Sequence, residues 1–358
     1  MNLAWIKEYR KDIPRRKYII FFLSILILIL ISLFSAFIGA VYIAPLTVIK
    51  VVLAQIPFAG HIFAAGTSNI QREIIIDLRG PHIIGAIVIG AVLGVGGATI
   101  QSVFKNPITE PYMIGISSGA ALGAVLAIAL GVTIFGFYTL QTLAFVFSVA
   151  IVLAIYVFSL RSRRVPVLYL LLTGIAVSVF ISSIVAFLLY TSPSLEGASE
   201  VFFWLMGSVE NITWKSLIPV AILSIVSMII IGMYARELDT IQLGEEYAKS
   251  VGVNVEGLKL IALVLVTLSV SAAVSISGLI GFVGLITPHI SRLIYGGSNR
   301  KVIPASAIFG AIFLVVAYDI ARLIILPRVV PIGIVTGIIG VPFFIYLLRR
   351  LAGGYYSD

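Results

Sequence analysis

The chain has 358 residues, of which 60% are hydrophobic and only 11% charged, against roughly 25% charged in ordinary soluble domains. So few polar side chains could not cover the surface of a water-soluble fold, whereas lipid as solvent removes that demand. The net charge of +9 does not indicate nucleic acid, because Lys and Arg sit in short clusters between apolar runs, as topology signals do. Cysteine is absent, which excludes a disulfide framework, a thiolate metal site and a catalytic thiol. His61, His82 and His289 are scattered and make no metal-ligand spacing.

This composition predicts an all-α polytopic membrane protein, a single transmembrane domain over residues 1–358 with about ten crossings. Tyr18 to Val41 supplies the first, behind the basic residues Arg10, Lys11, Arg15, Arg16 and Lys17. Its length and the lack of a cleavage-type site mark a retained helix rather than a signal peptide. Ile83 to Phe104 is the second crossing. Pro111 to Leu160 carries no charge and is too long for one crossing, so Gly131 to Gly136 divides it into a third and a fourth. Val165 to Tyr190 is the fifth and Ser216 to Ala235 the sixth. The apolar run from Lys259 to Arg292 would measure about 48 Å as one helix, too long for one crossing and too short for two. A seventh helix, a turn among Gly278, Gly281 and Gly284, and a short eighth ending near Tyr295 are expected there. Val302 to Leu326 and Val329 to Leu348 complete the set.

With the N-terminus inside, the inward loops hold Arg161, Arg163 and Arg164, then Arg300 and Lys301, then Arg349 and Arg350. The outward loop from Thr191 to Trp214 carries Glu196, Glu200 and Glu210 and no Lys or Arg. The positive-inside rule therefore places both termini in the cytoplasm. Two further segments read as helices that do not span. Ala198 to Val209 has a polar start and the large apolar residues Phe202, Phe203, Trp204 and Met206; it is expected to lie at the outer interface or to fold back into the bundle. Leu243 to Val251 is polar, with Glu245 and Lys249 at i, i+4 and Gly252 placed to end the helix at C′. Dense small residues at Gly85, Gly90, Gly94, Gly96 and Gly97, and from Gly115 to Gly123, read as close helix packing, with flexible gating as the alternative.

No G-x-x-x-x-G-K-[ST] occurs, so the chain has no usual means of cradling ATP phosphates. The apolar segments hold no paired carboxylates, His–carboxylate couple or Ser-centred nucleophile motif. Their scarcity of ionisable groups argues against an ion-coupled secondary transporter and against an intramembrane enzyme. The exception is Asp319 with Arg322, an i, i+3 pair that reads as a structural ion pair, an external docking contact or a coupling site. The residues thus describe a path through the membrane whose energy comes from another subunit.

Several blocks then match a known family in order. They are Leu78-Arg-Gly-Pro-His-Ile-Ile; Gly96-Gly-Ala-Thr-Ile-Gln-Ser-Val-Phe-Lys-Asn-Pro-Ile-Thr-Glu-Pro-Tyr-Met-Ile-Gly115; Phe203-Trp-Leu-Met-Gly-Ser; Leu243-Gly-Glu-Glu-Tyr-Ala-Lys-Ser-Val-Gly252; Gly278-Leu-Ile-Gly-Phe-Val-Gly-Leu-Ile-Thr-Pro-His-Ile-Ser-Arg292; and Pro331-Ile-Gly-Ile-Val-Thr336. Together they resemble the FecCD-type permeases of ATP-binding-cassette (ABC) importers over nearly the whole chain. The resemblance implies a cell-membrane permease without catalytic, cofactor or metal residues of its own. It also implies a homodimer, two cytoplasmic ATPase subunits that bind ATP and Mg, and an extracytoplasmic binding protein. Leu243, Gly244, Glu245, Glu246, Ala248 and Gly252, within a segment of about residues 238–256, then correspond to the ATPase-coupling element. Arg79 and Arg322 correspond to docking arginines for the binding protein, and His82 stands where the family has a further arginine. Phe203, Trp204 and Gly207 fall in the gate and pathway segment. Lys105 and Glu110 read as residues that position their loop on the ATPase, and His289 as a helix-packing residue. The cargo expected is a metal chelate (ferric siderophore, haem or cobalamin), with a molybdate or tungstate oxyanion as the alternative.

Overall fold

The computed structural model describes residues 3–39, 41–55, 68–160, 165–192 and 194–355; His61 and the basic loop residues Arg161, Arg163 and Arg164 lie outside them. Every regular element among these residues is helical. Helix α1 (Leu3–Phe37) leads to a short α2 (Pro45–Leu53), whose proline sits in the first turn where its missing N–H is no loss. Helix α3 (Asn69–Glu73), a π-helical turn (Ile74–Arg79) and α4 (Gly80–Phe104) then run on as one rod. Next come α5 (Ile116–Ile128), α6 (Thr139–Ser159), α7 (Val167–Tyr190), α8 (Leu195–Leu205) and α9 (Trp214–Met233). The short α10 (Ala235–Leu243) and α11 (Glu245–Ser250) precede α12 (Val255–Ser277), α13 (Val283–Tyr295), α14 (Asn299–Leu323) and α15 (Ile332–Tyr355).

Seven of these elements are long and apolar enough to cross a bilayer: α1 from Lys17, the α3–α4 rod, α6, α7, α9, α12 and α14. The shorter α5, α13 and α15 stand where the third, eighth and tenth crossings are expected, so a helix occupies each of the ten expected positions, seven of them long enough to span. Three elements were not expected: α2, the helical extension before Ile83, and α10. The second crossing is therefore longer than its apolar run, because the π-turn carries Asp77 and Arg79 into the helix.

Helices α4 and α12 form the centre and α1, α6, α7 and α9 the outer shell, with large apolar side chains such as Phe22, Phe158, Phe180 and Ile222 exposed. The backbones at the centre approach closely. A Cβ on Gly97 of α4 would overlap the Gly284 carbonyl of α13, and one on Gly90 would overlap the Gly310 carbonyl of α14. Without a hydrophobic drive between helices in lipid, such close contact supplies the packing energy.

The short helices have a physical cause. Lys105 ends α4 in the left-handed region (φ 51), and a single 3-10 turn (Pro111–Ile114) leads into α5. Between α12 and α13 the backbone of Gly278 to Phe282 is irregular, with Phe282 itself at φ 68. Non-helical backbone at membrane depth survives only where its polar groups find partners. Here the Tyr112 hydroxyl donates to the Ile280 carbonyl at 3.0 Å and accepts from the Ile280 N–H at 3.2 Å.

Candidate coupling face and transport cavity

At one end of the bundle, α10 is bound to the core. Asp239 accepts from the Asn299 N–H at 2.6 Å and from the Ser298 hydroxyl at 2.7 Å, satisfying the start of α14. The Gln242 amide donates to Ser102 of α4 at 2.7 Å. The chain then turns at Gly244 (φ 140, ψ 141), a conformation open to glycine, and α11 begins. Its end is the expected one: the Gly252 N–H reaches the Lys249 carbonyl at 3.0 Å and the Val253 N–H the Ala248 carbonyl at 2.9 Å. With Gly252 at φ 86, these bonds make a Schellman cap.

The charge pairing on α11 differs from the expected one. Glu245 does not pair with Lys249. It binds Lys259 of α12 at 2.9 Å, and Lys259 also binds Glu256 at 3.3 Å. Lys259 is only 7% exposed, so its ammonium requires carboxylates. Lys249 instead pairs with Glu246 at 2.7 Å on the surface. Ala248 is fully buried and forms part of the core. Tyr247 and Val251 of the α11 segment are exposed, as is Leu243 at the end of α10. Tyr247 and Val251 were missed in the sequence, although their i, i+4 spacing was there to read.

The loop before α5 is turned inward. The Glu110 carboxyl is turned inward against the Phe282 backbone, beside the α12–α13 break. Lys105 of the same loop is exposed. Burial raises the Glu110 carboxyl to about 7 from an ordinary 4.5, against a smaller opposite effect of the Phe282 hydrogen bond. The protonated form is therefore favoured in the fold, and stability is expected to fall as pH rises from about 4.5 to about 7 and to level off above. Burial also raises Glu210, so the diagnostic is a difference between proteins. Glu110→Gln should flatten part of the melting-temperature slope across this window; an unchanged slope would assign it elsewhere. His289, on α13, stacks edge-on against Phe343 at 6.3 Å, as a packing residue does.

At the opposite end, the structure brings Arg79, His82 and Arg322 into one cluster, but as buried groups, 6%, 9% and 7% exposed. Arg79 donates to the carbonyls of Ala36 and Val41. Arg322 donates to the Ser35 carbonyl at 2.8 Å and pairs with Asp319 at 3.1 Å, while the Ser35 hydroxyl donates to Asp319 at 2.6 Å. The two guanidiniums thus satisfy carbonyls at the C-terminal end of α1, where the helix leaves acceptors open and its dipole favours cations. The Arg322 guanidinium also lies 4.7 Å from the Tyr318 ring centroid. Tyr318 meets His82 at 3.4 Å, and His82 Nδ1 lies 4.0 Å from Glu210. Direct contact between these arginines and a partner's carboxylates is closed off in this conformation.

Glu210 also faces a cavity of about 400 Å³. Helix α8 folds back onto α5, and the turn after it is bound to α12 through the Ser208 N–H and the Ser277 carbonyl at 2.7 Å. At Gly207 (φ 71) any Cβ would overlap the Leu279 carbonyl. This fold-back carries Phe203 and Trp204 to the cavity wall, beside Glu200, Gln141 and Ser275. The lining residues include two carboxylates and no Lys or Arg.

A helical bundle with seven long apolar spans, a cavity bearing two carboxylates at one end and a capped, exposed short helix at the other fits a membrane permease. The sequence profile of the FecCD transport family matches residues 25–350, and the chain belongs to that family. It is the membrane-spanning permease subunit of an ABC importer and not its ATPase, so ATPase and binding-protein partners are implied. The cobalamin import system permease protein BtuC of Halobacterium salinarum is 36% identical, over 79% of this chain and 75% of that one. The molybdate import system permease protein MolB of Haemophilus influenzae is 33% identical, over 80% and 83%. A solved ABC transporter described as metal-chelate type and inward-facing superposes with a TM-score of 0.81 at 30% identity, over 92% of this chain and 99% of that one.

Proposed function

We propose that this chain pairs with a second copy of itself to form the path of a metal-chelate importer, carrying a ferric siderophore, haem or cobalamin by alternating access. In this reading α11 and both termini lie in the cytoplasm, where two ATPases engage Leu243, Gly244, Glu245, Glu246 and the exposed Tyr247 and Val251. Ala248 and Gly252 shape that element from within. The cavity opens toward the outside, with Phe203, Trp204 and Gly207 forming its gate. Arg79, His82 and Arg322 serve the docking face as positioning residues: they fix the end of α1 and the Glu210 turn that a binding protein would approach.

The observation that carries the choice of cargo is the cavity wall. Glu200 and Glu210, with no Lys or Arg among the described lining residues, would repel an oxyanion and suit a neutral or cationic chelate, a ferric trihydroxamate or cobalamin before haem, whose two propionates are anionic. Proteoliposomes holding the importer with its ATPases and binding protein are expected to accumulate a ferric trihydroxamate or cobalamin when ATP is supplied, and not molybdate. Equal ATP-dependent molybdate uptake would overturn the cargo assignment. Uptake by the permease alone on a proton or sodium gradient would overturn the ABC reading.

A further inference from the structure

At the α11 end a groove of about 520 Å³ runs between α1 and the α13–α14 turn. Its lining combines three cations, Lys17, Arg300 and Lys301, with Tyr18, Phe21 and Phe22. Lys17 donates to the Tyr295 carbonyl at 3.1 Å, which ties α1 to the end of α13. Arg300 and Lys301 are exposed, and neither pairs with a carboxylate among the described residues. They also occupy the first turn of α14, where the helix dipole works against positive charge. Positive-inside topology accounts for cations in this loop. It does not account for their meeting Lys17, nearly the whole chain away, across an aromatic wall.

The groove's depth defines its occupant. Lys17 and Asn299 each begin an apolar crossing, so the cations stand at the membrane interface. The wall of Tyr18 and Phe22 continues along α1 into the exposed Leu23, Leu26 and Leu30. A headgroup phosphate among the cations would have its acyl chains laid along an apolar helix face, the arrangement of basic interhelical lipid pockets. We infer that this groove is a binding site for an anionic phospholipid, with Lys17, Arg300 and Lys301 holding the phosphate. The inference does not depend on which cargo the permease carries.

The test uses the full-length permease in neutral detergent, titrated separately with phosphatidylglycerol, phosphatidylcholine and inorganic phosphate, read by thermal unfolding and by lipid retained in native mass spectrometry. Phosphatidylglycerol should raise the melting temperature and remain bound, and the other two should do neither. The Arg300→Gln/Lys301→Gln variant should melt normally in phosphatidylcholine yet bind phosphatidylglycerol about 30-fold more weakly. Arg328→Gln, which removes an exposed cation elsewhere on the chain, should bind as the parent does. Three results would each overturn the assignment: equal binding of both lipids, a double variant that binds normally, or an Arg328→Gln loss as large as the double variant's. A thermal shift reproduced by inorganic phosphate would replace the lipid with a free anion.

Discussion

Replacing Arg322 by alanine is expected to destabilise the bundle by about 3–5 kcal/mol, the usual cost of breaking a buried ion pair from one side. The change leaves the Asp319 carboxylate, itself 7% exposed, with Ser35 as its remaining partner. It also strips the Ser35 carbonyl of its donor and the Tyr318 ring of its cation. Removing both charges with Asp319→Asn and Arg322→Met should recover a large part of the loss, since the desolvation of two ions disappears with them. Unfolding in mixed micelles measures both. A cost below about 1 kcal/mol for the single change, as for a solvated pair, would mean that the cluster does not hold the end of α1.

The second large effect is expected on transport. Glu246 is exposed and pairs with Lys249, so Glu246→Lys should leave the fold intact while reversing the charge presented to an ATPase. Gly244→Trp acts differently, because Gly244 joins α10 to α11 in a conformation that a bulky residue does not adopt. The first variant should weaken ATPase association at least about tenfold. The second should keep the ATPase bound and uncouple hydrolysis from uptake, because the angle of α11 is changed. Normal association and uptake in both would end the assignment of α11 as the coupling element.

The crossings were legible because lipid imposes long charge-free runs, and the Lys259–Arg292 run announced its own break by length. What the sequence hid were features decided by partners distant in the chain. The π-turn at Ile74–Arg79 carries charge into a helix, and only the carbonyls of Ala36 and Val41 explain why Arg79 is tolerated there. Glu245 looked like a local partner of Lys249, but the buried Lys259 claims it, since a buried cation gains more from a carboxylate than a solvated one does. Arg79, His82 and Arg322, singled out in the sequence, converge in space. Their burial depends on how α1 ends, which no local pattern specifies. The cavity was legible in part: Phe203, Trp204 and Gly207 stood out in the sequence, while Glu200 and Glu210 looked like outer-loop charge and Gln141 like a span residue.

Helix α12 has a mechanical property that follows from how its ends are fixed. Near its first turn, Lys259 is clamped to Glu245 of α11. At its last residue, the Ser277 carbonyl holds the turn that bears Gly207, and Gly278 abuts the Trp204 carbonyl. A helix of 23 residues spans about 34 Å and is stiff in compression, so it acts as a strut between α11 and the turn that bears Gly207. A shove on α11 would arrive at Trp204 with little loss. Because Lys259 is buried and its carboxylate partners are only partly exposed, the stroke should be less sensitive to salt than one carried by surface ion pairs.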